Sequence, residues 1–175
     1  MADPFRLRVL KALTDHLKTI TPANGYVSNL ADFTAADGLA SPRVFRGRDS
    51  FGDSDELPFV SILEDFRPDE QQLGTPGTTG AAGEWRLLIQ GFVKDDRTNP
   101  TDPAYILAAD VLKALVQARK DRYDILGFGS AMPCVADLRF KQPVVRPADN
   151  EVSSTSFFFI TVTLKLAENL ENPFA

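Results

Sequence analysis

Residues 84–120 constrain the fold more than any other stretch. Glu84-Trp85-Arg86-Leu87-Leu88-Ile89-Gln90-Gly91-Phe92-Val93-Lys94 alternates with a period of two. Trp85, Leu87, Ile89 and Val93 fall on one side of an extended strand, with Gly91 between the last two. Arg86, Gln90 and Lys94 fall on the other side, where Leu88 and Phe92 interrupt the polar pattern. This predicts a sheet strand partly covered on both faces. A polar Asp/Asn/Pro cluster ends it. Asp102 then offers a cap to the free amides of a first helical turn, and Pro103 suits the first helical position, where no amide donor is needed. Tyr105, Ala108, Ala109, Leu112, Leu115 and Val116 recur at helical spacing, which predicts a helix over 103–119 with that stripe folded back on the sheet.

A length of 175 residues suits one domain, and thirteen phenylalanines supply core material. The formal charge of -5 argues against a general nucleic-acid binder, which would carry a basic patch. The single cysteine, Cys134, excludes an intrachain disulfide and sits in an alternating apolar run, as a buried hydrophobe does. Met1-Ala2-Asp3-Pro4 leads into an amphipathic segment with Arg6, Arg8 and Lys11. No continuous apolar run follows, so neither a secretory signal nor a bilayer span is expected, and the chain is expected to fold in a cytoplasm.

Val9, Leu10, Leu13, Leu17 and Ile20 make one apolar stripe, which predicts a helix over 5–20, stopped by Pro22 and Asn24-Gly25. His16 reads as a helix-border residue. Residues 25–42 read as irregular, 43–48 as a short strand with Val44, Arg46 and Arg48 on one face, and 58–66 as a longer strand. Residues 67–83 are rich in glycine and threonine, and connections of this length are functional or disordered more often than structural. They predict a mobile loop that orders on a partner. Cys134, Ala136, Leu138 and Phe140 alternate with Val135, Asp137, Arg139 and Lys141 in a clean strand. Residues 146–150 read as a turn, 154–166 as the longest strand, and 167–175 as a polar tail after a single domain over 1–166. The expected class is α+β: one mainly antiparallel sheet flanked by two amphipathic helices, in the order α-β-β-β-α-β-β.

Catalytic signatures are absent from this sequence. Gly127-Phe128-Gly129 lacks the third glycine of a dinucleotide fingerprint and follows a helix instead of a strand. Gly77, Gly80 and Gly83 are not followed by Gly-Lys-Ser/Thr, so no phosphate loop is present. Two acidic clusters remain: Asp49, Asp53, Asp55 and Glu56, then Asp95, Asp96, Asn99 and Asp102. Neither matches a calcium loop, and solvated loop carboxylates are the simpler reading. Arg43, Arg46 and Arg48 lie beside the first cluster. The two signs either neutralise each other within one subunit or face across a head-to-tail boundary between subunits.

Val44-Phe45-Arg46-Gly47-Arg48, an acidic loop, Leu57-Pro58 opening a strand that ends in Glu64-Asp65, Gln90-Gly91-Phe92 within 85–93, and Pro100-Thr101-Asp102-Pro103-Ala104-Tyr105 opening a helix together resemble the tail terminator proteins of long-tailed bacteriophages. The first helix with Thr21-Pro22-Ala23-Asn24-Gly25-Tyr26, and the Ser/Phe-rich strand ending at Leu166, fit the same pattern. The resemblance implies a non-enzymatic α+β subunit of the virion neck, made in the host bacterial cytoplasm. It would form a homohexameric ring on the head-proximal end of the tail tube, end tube growth and join the tail to the head connector or stopper protein. It implies no catalytic residue, no cofactor and no metal, and no partner in membrane or specific nucleic acid. Arg43, Arg46, Arg48, Asp49, Asp53, Asp55 and Glu56 are the expected inter-subunit contacts. Gly74, Thr75, Gly77, Thr78, Thr79 and Gly80 are the expected partner-binding loop. The alternatives are another neck or tail ring component and a small metal-dependent enzyme using one of the acidic clusters.

Overall fold

The computed structural model describes residues 2–52, 55–65, 74, 76–148 and 154–174. The protein is α+β, with two helices and a mixed sheet. Helix α1 (Phe5–Lys18) is followed by the two-residue strands β1 (Phe33–Thr34) and β2 (Ala40–Ser41), which pair with each other. Then come β3 (Val44–Arg46), β4 (Phe59–Glu64), β5 (Gly80–Lys94), α2 (Asp102–Ala118), β6 (Cys134–Phe140), β7 (Val144–Arg146) and β8 (Thr155–Asn169). The six-stranded sheet runs β3-β4-β5-β8-β6, with β7 also on β8. Only β3 and β4 are parallel. The two-residue β1–β2 pair and β7 are additions to the expected order, in segments too short for a sequence period to register.

Strands β5 and β8 are the spine, paired from Gly80↔Asn169 to Lys94↔Thr155. Alternate residues on their shared inner face, including Trp85, Leu87, Ile89, Phe158, Ile160, Val162 and Leu164, join one core with Val9, Leu13 and Leu17 of α1 and Leu107, Val111 and Leu115 of α2. Both helices therefore pack into the same sheet face. His16 ties them together, its Nε2 lying 2.8 Å from the Ala114 carbonyl oxygen. Gly91 is fitted to this core, because the Phe158 ring lies where a side chain at 91 would stand.

Several boundaries differ from those expected, each for a physical reason. Residues 80–83 continue β5 because β8 runs on through Asn169 to pair with them, so 167–169 are strand and not tail. The remaining tail is held too: Leu170 N–H donates to Thr79 O at 2.8 Å, and Phe5 N–H to Pro173 O at 2.8 Å. The latter bond satisfies an amide that the α1 start leaves free, since Pro4 supplies no side-chain cap. Asp102 is likewise no cap. Thr101 occupies the cap position in helical backbone geometry, and Asp102 sits in the first turn. In β6 a bulge between Val135 and Asp137 breaks the clean alternation, so Cys134 and Val135 are both buried.

The buried stripe of α2 is rotated from the one read in the sequence. Ala104, Leu107, Ala108, Val111, Ala114, Leu115 and Ala118 face the core, while Tyr105, Ala109 and Val116 are exposed. The helix is apolar over most of its circumference, and the sheet takes the side rich in alanine, which permits close approach. None of the described helices is long and apolar enough to cross a membrane.

Candidate functional site

The face of the sheet away from the helices carries the candidate surfaces. At one end Phe59, Phe92 and Phe157 stand on adjacent strands, with ring centroids 4.9 Å apart for Phe59–Phe92 and 6.0 Å for Phe92–Phe157. Phe45 of β3 and Phe51 of the following loop close over them, with Phe51 only 4.3 Å from Phe59. The result is a small second core that holds the segment carrying the acidic cluster. Phe92 was visible in the sequence only as an apolar residue on a polar face. Its partners come from three other segments.

Two of the three expected contact arginines are committed to this structure. Arg48 pairs with Asp55 at 2.7 Å, donates to the Ser50 carbonyl, and lies 4.7 Å over both the Phe45 and Phe51 rings. The Asp55 carboxylate also accepts from Gly52 N–H at 2.8 Å, so the pair staples the loop. Arg43 pairs with Glu56 at 3.0 Å, donates to the Pro58 carbonyl and covers Phe33. Within one chain, Arg43 and Arg48 each have a carboxylate partner. Arg46 differs: it is exposed on the edge strand β3 and makes no ion pair among the described residues. Asp49 is exposed nearby, and Asp53 lies outside the described residues. Arg46 and Arg48 do not share a face, because Gly47 turns the chain at φ +67. A glycine adopts that geometry without steric cost.

The centre of the same sheet face is a concave surface of about 690 Å³, lined by Asp65, Glu84, Arg86, Leu88, Gln90, Arg139, Phe140, Lys141, Phe159, Thr161 and Thr163. Arg139 bridges Glu84 and Asp137 across it. Arg86 and Lys141 are exposed. The surface mixes charges of both signs with a few apolar side chains and contains no nucleophile–base pair. The strand alternation implied a polar face here.

Of the expected partner-binding loop, Thr75 and residues 67–73 lie outside the described residues. Gly74, Gly77, Thr78 and Thr79 are exposed. Gly80 belongs to β5 and pairs with Asn169, so it is part of the sheet and not of a loop.

The second acidic cluster builds a turn. Asp96 Oδ1 accepts from Thr98 N–H at 2.8 Å and Asn99 N–H at 2.7 Å, and these bonds hold its carboxyl below the usual range. Asp110, buried on α2, accepts from Val27 and Ser28 N–H at 3.1 and 2.7 Å and so clamps the segment after α1. Burial, then the Asp110 carboxylate, pushes the nearby Tyr26 hydroxyl up from its ordinary pKa. Cys134 is buried and unpaired. Among the described residues no group of three or more His, Cys, Asp or Glu is placed to hold a metal ion. No family model matches the chain, and no curated protein matches it.

Proposed function

We propose that this chain is a non-enzymatic ring subunit of a bacteriophage tail, of the tail terminator type. It assembles into a homohexamer that caps the head-proximal end of the tail tube and meets the head connector or stopper protein. The observation that carries this reading is where the resembling segments fall. Residues 44–48 form and follow the edge strand β3, 57–65 contain β4, 85–93 lie in the β5 spine, 100–105 open α2, and the last stretch is β8. Most of the resembling stretches fall in the helices and strands of the domain's frame, which supports a likeness of architecture. The engagement of the loop carboxylates supports a scaffold over an enzyme. Asp55 and Asp96 are spent on backbone amides, and Glu56 on Arg43.

In this reading Arg46 is the arginine of the expected set left without an ion pair among the described residues, set on a strand edge where a head-to-tail contact would form. The test is to add the purified protein to polymerising tail tubes and examine them by electron microscopy, with the subunit mass measured by sedimentation. Tubes of limited length bearing a six-fold ring at one end are expected. Unaltered tube growth together with a subunit that forms no ring would overturn the proposal.

A further inference from the structure

The outward side of α2 carries an apolar line, of which Leu112 also packs against the core while Tyr105, Ala109 and Val116 do not. Tyr105, Ala109, Leu112 and Val116 follow one another at spacings of four, three and four residues. Tyr105 is 58% exposed and Val116 46%, Ala109 is exposed and Leu112 half-buried. At 3.6 residues per turn the four fall within about 60° of arc, turned roughly 130° from the middle of the buried stripe, with Leu112 at its border. A 4-3-4 spacing is the seam by which one helix packs along another.

Charge selects the occupant. Asp102 precedes the line and Arg119 follows it, at the next positions of the same spacing. Both are exposed. Asp102 makes no ion pair among the described residues. Arg119 donates to the Leu138 carbonyl at 3.1 Å and lies 4.4 Å over the Phe140 ring, with no carboxylate partner among them. Laid against itself in parallel, the helix would set Asp102 on Asp102 and Arg119 on Arg119. Laid antiparallel, it sets Asp102 against Arg119, Tyr105 against Val116 and Ala109 against Leu112, so that opposite charges meet and large residues face small ones.

We infer that two copies of this chain pair through α2, antiparallel about a two-fold axis, in that register. Such a contact is isologous and closes at two copies. Four apolar side chains per copy fall short of the roughly 1,000 Å² that a stable interface buries, so the pairing is weak for free subunits and gains strength when several copies are held together. It uses α2 and leaves the β3 edge free, so it stands independently of the tail reading.

Sedimentation equilibrium across a wide concentration range tests it. The mass of the subunit, or of its ring if one forms first, should double as concentration rises. Ala109→Glu should weaken the doubling at least tenfold while circular dichroism stays unchanged. Asp102→Arg and Arg119→Asp should each weaken it, and an equimolar mixture of the two should restore it, because every mixed pair then carries two opposite-charge contacts. Should Arg119→Asp fail to fold, mixing Tyr105→Glu with Val116→Lys reads the same register at two exposed positions. A mass that never doubles, a doubling indifferent to Ala109→Glu, or mixtures that recover nothing would each overturn the inference.

Discussion

Gly91 is the residue on which the core packing turns. A Cβ built there would lie 2.1 Å from Phe158 Cε1 and 2.5 Å from Cζ. The ring cannot retreat, because Phe158 is fully buried in the shared core. Gly91→Ala should therefore destabilise the fold by about 2 kcal/mol through overpacking, measured by chemical denaturation. A companion Phe158→Leu change should recover part of that loss. Asp96 makes a different prediction at the same scale. Two backbone amides favour its charged form, so its folded pKa lies below the ordinary 3.8. The turn is intact above that value and loosens as pH falls through the folded pKa. The amide resonances of Thr98 and Asn99 should shift together in that acid range, and Asp96→Asn should abolish the shift. The carboxylate is fully exposed, so global stability should barely follow.

At the scale of elements, α2 is held by specific ties as well as by its buried stripe. Asp110 binds two backbone amides of 27–28, Lys113 donates to the Gly25 carbonyl at 2.6 Å, and the Ala114 carbonyl meets His16. Together they lock the turn after α1 onto the second helix. Asp110→Ala should cost about 1–2 kcal/mol by leaving those amides without their acceptor, with faster hydrogen exchange confined to 26–30. Asp110→Asn, which keeps one acceptor oxygen, should cost less. The period of α2 was legible in its residues, and Ala108 and Leu115 of the expected stripe are buried, yet Tyr105, Ala109 and Val116 are exposed. Tyr105, Leu112 and Val116 are larger than the alanines that face the sheet, and hydrophobicity alone favoured them. Close approach of helix to sheet favoured Ala104 and Ala114 instead.

For the whole molecule, the arginines separate fold from assembly. Arg48 staples a loop over an aromatic cluster, so Arg48→Ala should lose about 1–2 kcal/mol of stability from its ion pair, carbonyl bond and ring contacts. Arg46 has no such ties among the described residues, and Arg46→Ala should change stability by less than about 0.5 kcal/mol. Ring formation should show the reverse order. Arg46→Glu should impair assembly and tube capping with the melting temperature unchanged, read by electron microscopy beside a thermal melt. Rings that form normally with Arg46→Glu would remove this edge from the interface.

What the sequence determined by itself is the set of strongly periodic elements: α1, the body of β5, the helical period of α2, and β8 with its alternating Phe158, Ile160, Val162 and Leu164. Each carries its signal within one continuous stretch. The tertiary structure alone decided what depends on two distant segments meeting. Residues 80–83 are strand because 166–169 lie beside them, Arg48 is satisfied because Asp55 and Phe51 fold back over it, and α2 turns its alanines inward because the sheet is close. Local periodicity follows from the geometry of a single backbone. Pairing, burial of one face over another and the fate of each charge follow from contacts between segments, and a residue's neighbours in the chain do not specify them.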